Sequence, residues 1–131
     1  MAASGYVLDR KLTVTPEGVA LMVLDAQELR ELDLRDGETE GFVNIPLATG
    51  DVKMSVFLKE DDGYFRVSTR SKRGISANLF ARTYCNGGGH EMAAGGRLYI
   101  PDDVKDAADA TQYILTSAAR FMQDSMAADN K

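Results

Sequence analysis

The 131-residue sequence is poor in the residues that form disulfides and soft-metal sites, with one cysteine, one histidine and no tryptophan. The single cysteine, Cys85, excludes an internal disulfide and is typical of proteins from a reducing cytoplasm. One histidine and one cysteine are too few for a zinc site made of Cys and His ligands. The sequence also lacks paired aspartates of the DxD type, a GxxxxGK[ST] phosphate loop and a GxSxG nucleophile motif. We therefore expect neither metal ligands nor a catalytic centre of these kinds in this chain.

Long hydrophobic runs are also absent. No apolar run approaches the roughly 20 residues of a membrane-spanning helix, and residues 1–5 lack the basic and apolar regions of a signal peptide. Hydrophobic residues make up 44% of the chain and charged residues 27%, which is usual for a globular domain. This length and composition predict one domain over residues 1–131, a cytoplasmic location and no membrane partner.

The net charge of −5 disfavours a surface that coats DNA or membranes, but the charge is unevenly distributed. Segment 64–97 contains six basic residues and one acid, a net charge of +5, whereas the remainder carries −10. One basic region on an acidic protein suits a small, highly charged anion better than a long duplex. Chance clustering on a solvated face is the alternative interpretation.

Three consecutive glycines, Gly87, Gly88 and Gly89, precede the only histidine, His90. Without side chains they allow a ligand to approach the backbone N–H groups, and a helical turn after them would favour an anion there. This segment therefore predicts a site for a phosphate or a nucleotide. A turn that only joins two elements is the alternative, because short glycine motifs give many false positives.

Arg70 is expected at the end of a strand whose alternation places it on the same face as Ser68. A strand, a helix and the glycine segment in this order can bring Arg70 and the glycines to one edge of a sheet. Arg70 would then bind a phosphate through two parallel hydrogen bonds, with hydroxyl contacts from Ser68 and Ser71. A surface Arg70 paired with Asp61 or Asp62 is the alternative.

His90 and Cys85 are the remaining candidates for chemistry. His90 could donate a hydrogen bond to a phosphate or stack on a base, whereas a role as lone general base would need a metal or paired acid. Cys85 lies beside the glycines, but a small apolar residue ending the preceding element is favoured over a reactive thiol. We therefore predict binding residues and no catalytic residue.

The pattern of apolar residues predicts an α+β domain, loosely α/β layered, with helices flanking a mixed sheet of about five strands. The strands are expected at residues 10–15, 19–24, 52–58, 64–70 and 98–100. The helices are expected at residues 25–32, 39–44, 76–84 and 101–126. In the third of these helices, Leu79, Phe80 and Tyr84 are predicted to pack inward.

Residues 87–95, with the sequence GGGHEMAAG, resemble the GGGHxxAAG signature of the DHH-associated domain. This is the C-terminal domain of DHH phosphoesterases of the RecJ-like, oligoribonuclease and pAp-phosphatase type. Further segments are similar in the same order: 39–46 to the family's "TEGLVN", 52–60 to its next strand and 67–71 to its "VSLRS". Asn86 departs from the pattern, which usually has a fourth glycine there, although asparagine tolerates positive φ well.

The resemblance implies that the chain is the substrate-binding part of a two-domain enzyme and is excised from a longer protein. Its partner would be an N-terminal DHH domain, absent here, that holds two manganese or magnesium ions for phosphoester hydrolysis. Arg70 and residues 87–90 would bind the nucleotide or phosphate end of a short oligonucleotide or a pAp-like molecule. The chain alone would not be catalytic, whereas its parent would be a manganese-dependent phosphoesterase.

Two other functions stay open on the sequence alone. A nucleic-acid-binding module without catalysis would need extended contacts, yet the helices and termini are acidic and no paired aromatic platform is evident. A structural or dimerisation domain would use the glycine segment only for packing, and the sequence leaves a homodimer open.

Overall fold

The computed structural model describes residues 12–32, 43–48 and 50–129, which form a six-stranded mixed sheet with helices packed on it. The strands are β1 (Thr13–Val14), β2 (Val19–Leu24), β3 (Met54–Glu60), β4 (Tyr64–Ser71), β5 (Gly88–His90) and β6 (Ala93–Tyr99). The helices are α1 (Ala26–Leu32), α2 (Ala77–Tyr84) and α3 (Ala107–Asp129), with a 3₁₀ turn at Ile45–Ala48. The predicted α+β class is confirmed, with one strand more than expected.

The strand order is β1-β2-β3-β4-β6-β5. Among the described strands, β2 and β3 form the one parallel pair, and the connection between them contains α1 and the 3₁₀ turn. Parallel strands require such a crossover, whereas antiparallel neighbours can be joined by a tight turn. The tight turns lie at 61–63, between β3 and β4, and at 91–92, between β5 and β6. β4 therefore lies between β3 and β6, in the half of the sheet that contains the glycine segment.

One side of the sheet, which we call the helix face, packs against α2 and α3. Phe65 and Val67 of β4 are buried there in one cluster with Phe80 of α2 and Ile114 of α3. Alternate apolar residues of β2 and β3 complete the cluster. Burial of apolar surface stabilises a fold, and the helix face carries the larger of the two apolar clusters on this sheet.

The opposite side of the sheet, which we call the cleft face, is covered only in part. Over β2 and β3, the buried residues Met22, Leu24 and Phe57 pack with Val43 and with the half-buried Leu29 of α1. Over β4, β5 and β6 the same face opens into a cavity. The fold thus leaves polar and glycine-rich strands accessible beside a small second core.

The strand at 19–24 and the strand and helix predicted at 64–70 and 76–84 are confirmed to within a residue. The strand expected at 98–100 is the end of β6, whose first four residues, Ala93–Gly96, lack the large apolar side chains that signal a strand. The last helix begins six residues later than expected because Asp106 caps it: its Oδ1 accepts the Asp109 amide at 2.8 Å.

Two further predictions, a helix at 39–44 and an inward-packed Leu79, are not confirmed. The helix expected at 39–44 lies mostly outside the described residues, and its described end at 43–44 is a turn. Leu79 was expected to pack inward but is 53% exposed, whereas Phe80 is buried. Successive helical residues are rotated by about 100°, and Phe80 takes the position that faces the core.

Candidate functional site

The cleft face of β4, β5 and β6 opens into a cavity of about 750 Å³. Its lining includes five residues predicted from the sequence to form a site: Ser68, Arg70, Gly88, Gly89 and His90. Side chains alternate along a strand, so even-numbered residues of β4 share this face. The strand order then brings residues from three strands to one surface.

Strand register sets the spacing within the cavity. Arg70 of β4 pairs with Ala93 of β6, and Ala93 pairs with His90 of β5. These paired residues form a row across the sheet. In the next row on the same face, Ser68 pairs with Gly95. Because Ala93 and Gly95 carry a methyl group or no side chain, β6 leaves room for a ligand between Arg70 and His90.

The half-buried Arg70 is oriented by the backbone of its neighbours. Its Nη1 donates to the carbonyl oxygens of Thr69 at 2.8 Å and of Ala94 at 3.4 Å. The other guanidinium nitrogens make no hydrogen bond to a residue that the structure describes. Within the same part of the chain, Arg70 forms no ion pair with Asp61 or Asp62. A planar fork with unused donors suits the oxygens of a phosphate or carboxylate.

The glycine segment does not lead into a helical turn, and that prediction is wrong. Gly88–His90 is β5, which pairs antiparallel with β6. The Gly89 amide donates to Oδ1 of Asn78 on α2 at 2.9 Å. This amide is therefore engaged within the protein and is not free to bind an anion.

Gly87 and Gly96 are required by a close approach of two backbone segments. A β-carbon on Gly87 would overlap the carbonyl oxygen of Gly95, and one on Gly96 would overlap that of Cys85. Only glycine permits this contact. Gly87 is not among the residues that line the cavity, so the structure places this predicted binding residue in the packing of the glycine segment against β6.

Ser71 requires a correction as well. It lies on the helix face, is 6% exposed, and its Oγ donates to the carbonyl oxygen of Ile75 at 2.6 Å. Ser68 and Ser71 are three residues apart, so strand alternation directs their side chains to opposite sides. The structure keeps Ser68 in the candidate site and excludes Ser71 from it.

Asn86 adopts the backbone conformation that a glycine would provide, with φ of 54°. Its Nδ2 donates to the carbonyl oxygen of Arg97 at 2.9 Å and to Oδ2 of Asp103 at 3.0 Å. The same Asp103 oxygen accepts the Tyr99 amide at 2.8 Å. Glycine could not make these side-chain bonds, so Asn86 ties the glycine segment to the end of β6.

Cys85 is fully buried on the helix face, and burial raises the pKa of its thiol to about 12. The thiolate is the reactive form of cysteine, so this thiol is protonated and inert at neutral pH. The interpretation of Cys85 as a small apolar residue is confirmed.

Sequence reasoning missed the residues at the far end of the cavity. Lys59, Arg66, Arg97 and Tyr99 also line it. Both arginines belong to the basic segment 64–97. They share a surface with Lys59 only because of strand register, since Arg66 pairs with Lys59 on one side and with Arg97 on the other. Knowledge of which strands are neighbours would have revealed this row.

Metal-ligand groups and membrane-spanning helices are both absent from the described part of the chain. Its His, Cys, Asp and Glu residues form no group of three or more that could hold a metal ion. The resemblance places the two-metal centre in a separate DHH domain and not in this chain. None of the described helices is long and apolar enough to cross a membrane.

A family model described as the DHHA1 domain matches residues 18–117. The chain belongs to the DHHA1 domain family. This DHHA1 chain is 33% identical over 95 residues to the probable bifunctional oligoribonuclease and PAP phosphatase NrnA of Streptococcus mutans, a match that covers 72% of the chain and 30% of that protein. It is 29% identical over 100 residues to the bifunctional oligoribonuclease and PAP phosphatase NrnA of Bacillus subtilis, covering 76% of the chain and 31% of that protein.

A solved structure shares the same architecture. The DHHA1 chain superposes on an exopolyphosphatase-related protein from Bacteroides fragilis with a TM-score of 0.83 and 32% identity, over 95% of this chain and 35% of that one. The DHHA1 chain therefore spans about a third of the length of each of these three relatives. These matches confirm the family indicated by the glycine-histidine signature.

Proposed function

We propose that this DHHA1 chain is the substrate-holding part of a phosphoesterase that hydrolyses short oligonucleotides and pAp-like nucleotides. The observation that carries the proposal is the convergence of Ser68, Arg70, Gly88, Gly89 and His90 on one cavity. The two NrnA relatives, named as oligoribonucleases and PAP phosphatases, support this substrate class.

In this proposal the cavity residues bind the ligand through hydrogen bonds to its phosphate and through the space that the small residues of β6 leave for it. The unused donors of Arg70 bind two oxygens of a terminal phosphate, which is the geometry that arginine favours. The exposed His90, across Ala93 from Arg70, donates a further hydrogen bond to the phosphate or stacks on a base. Ser68 adds a hydroxyl contact from the neighbouring row. The small residues of β6 allow the ligand to lie between these groups.

The proposal assigns catalysis to a DHH domain that acts together with this chain, the DHHA1 domain of residues 1–131. In this proposal the manganese or magnesium ions belong to that partner. The chain by itself then binds nucleotides and hydrolyses none. A cytoplasmic location is part of the same proposal.

The test is a calorimetric and NMR titration of the purified chain with pAp. We expect amide shifts centred on residues 68–70 and 88–90. Arg70→Ala should weaken binding by about 10- to 100-fold, the loss expected for a charge-assisted hydrogen bond, and Arg70→Lys should restore part of it. Arg73→Ala is the matched control, because Arg73 is exposed and outside the cavity lining.

Three outcomes would contradict the proposal. Equal effects of Arg70→Ala and Arg73→Ala would show that binding depends only on net charge. Shifts confined to another surface would place the ligand elsewhere. Affinity that rises steadily with many added nucleotides and falls steeply with salt would indicate a general nucleic-acid-binding module instead.

A further inference from the structure

A second charged region lies at the opposite end of the cavity from His90. Lys59, Arg66 and Arg97 stand side by side on β3, β4 and β6, and all three line the cavity. Arg66 is four residues from Arg70 along β4, a distance of about 13 Å in a strand. A single phosphate group held by Arg70 cannot reach this row, so the row needs a longer anion.

An aromatic surface adjoins this row. Tyr64 and Tyr99 are cross-strand partners whose ring centroids lie 6.2 Å apart, with an angle of 53° between the rings. The guanidinium carbon of Arg97 lies 4.6 Å from the centroid of the Tyr64 ring. Tyr99 lines the cavity and is 43% exposed. This pair is the aromatic platform that the sequence alone did not reveal.

Contacts within the protein hold the Tyr64 side of the platform. The Tyr64 hydroxyl donates to Oδ2 of Asp61 at 3.2 Å, and Nη2 of Arg66 lies 3.9 Å from the same oxygen. The Asp62 amide, the Tyr64 hydroxyl and the Arg66 charge together lower the pKa of Asp61, so its carboxylate stays ionised. These contacts position the ring before a ligand arrives, which reduces the entropic cost of binding.

The Tyr99 side is held through its backbone. The Tyr99 amide donates to Asp103, whose carboxylate also accepts the Asn86 side chain. A platform fixed at both strands, next to cations, is the arrangement by which proteins hold single-stranded nucleic acid: bases stack on the rings while cations follow the phosphates. Neither a lone phosphate nor a lipid surface would require both features at this spacing.

We propose that the Lys59–Arg66–Arg97 row and Tyr99 form a second subsite, which binds the base and phosphate of a nucleotide beyond the one held at Arg70. This inference rests on the proposed function. It adds a structural reason why the chain would distinguish an oligonucleotide from a compact ligand such as pAp. A compact ligand such as pAp occupies only the Arg70 end of the cavity, whereas an oligonucleotide occupies both ends. Tyr99 is then a specificity-determining residue for substrate length.

The experiment compares the affinities of the chain for pAp and for the 5′-phosphorylated trinucleotide pApApA. Tyr99→Ala should weaken binding of pApApA about 10-fold, within the range measured for loss of base stacking, and leave pAp binding within about twofold. Tyr99→Phe keeps the ring and should bind both ligands normally. Leu79→Ala is the control for removing an exposed apolar side chain, since Leu79 is 53% exposed and outside the cavity lining.

A second variant keeps the inference testable if Tyr99→Ala does not fold. Arg97→Gln retains the backbone hydrogen bond of residue 97 to the Cys85 carbonyl and should also weaken pApApA selectively. The subsite is refuted if a folded variant loses affinity for both ligands equally or for neither.

The two proposals fail in different ways. If Arg70→Ala weakens both ligands and Tyr99→Ala weakens neither, the proposed function stands and the second subsite does not. If Tyr99→Ala weakens pApApA alone while Arg70→Ala changes nothing, the aromatic subsite stands and the role of Arg70 in the proposed function is wrong.

Discussion

The two faces of β4 are made of alternate residues of one strand and have opposite roles. On the helix face, Phe65 and Val67 are 0% and 1% exposed and join a core with α2 and α3. On the cleft face, Arg66, Ser68 and Arg70 remain exposed or half-buried and line the cavity. The comparison shows that a period of two residues is enough to separate the apolar core from the residues that line the cavity.

The sharpest test of this separation is a pair of substitutions in β4. Phe65→Ala should lower the free energy of unfolding by about 3–5 kcal/mol, because it empties a fully buried site. Ser68→Ala, on the cleft face, should change it by less than about 0.5 kcal/mol. Urea denaturation of both variants measures the difference. Similar losses for the two would mean that the cleft face is also part of the stabilising core.

A smaller effect is expected where β6 meets the glycine segment. Gly96→Ala should destabilise the chain by about 1–3 kcal/mol, because the new methyl group overlaps the Cys85 carbonyl and forces the backbones apart. Gly50→Ala is the control, since a β-carbon there has no neighbour within 4 Å. Thermal unfolding compares the two variants. An unchanged melting temperature for Gly96→Ala would show that the close approach is not required.

The smallest effect concerns Cys85, which adjoins the cavity-lining Asn86 but lies on the helix face. Its pKa of about 12 predicts that a disulfide reagent at pH 8 leaves the folded chain unmodified and reacts after denaturation. The unfolded thiol ionises from about its usual pKa of 9.0, so stability should fall as pH rises from there toward 12. Cys85→Ala should remove that part of the decline. Rapid modification of the native chain would mean that the helix face opens readily.

Local patterns predicted the parts of the fold that depend on side-chain periodicity. The continuous apolar run of β2 and the alternation of apolar and polar residues in β4 were each sufficient to predict a strand. Each pattern matches the set of side chains that the strand buries. β5 and the start of β6 were missed, since Gly88 and Gly89 and residues 93–96 carry no apolar pattern and become strands only through pairing with neighbours. Backbone pairing between distant segments leaves no local signal.

The residues of the candidate site also fall into those that the sequence predicted and those that it did not. Ser68, Arg70 and His90 could be selected from the sequence because their chemistry and the signature around them suggest anion binding. Ser71 was placed wrongly, because its side chain lies on the opposite face and bonds to the turn that follows β4. Tyr99 was not found, because its partner Tyr64 is 35 residues away and reaches it only through strand register.

The sequence by itself determined the family, the α+β class, the apolar core positions of β2 and β4, and the residue types available for an anion. Composition, periodicity and ordered motifs are properties of the sequence, and they can be recognised there without knowledge of the fold. Only the tertiary structure decided which side chains share the cleft face and that Gly87 and Gly96 serve backbone packing. These features depend on strand order and register, which bring together residues far apart in the chain and are set by the packing of the whole sheet.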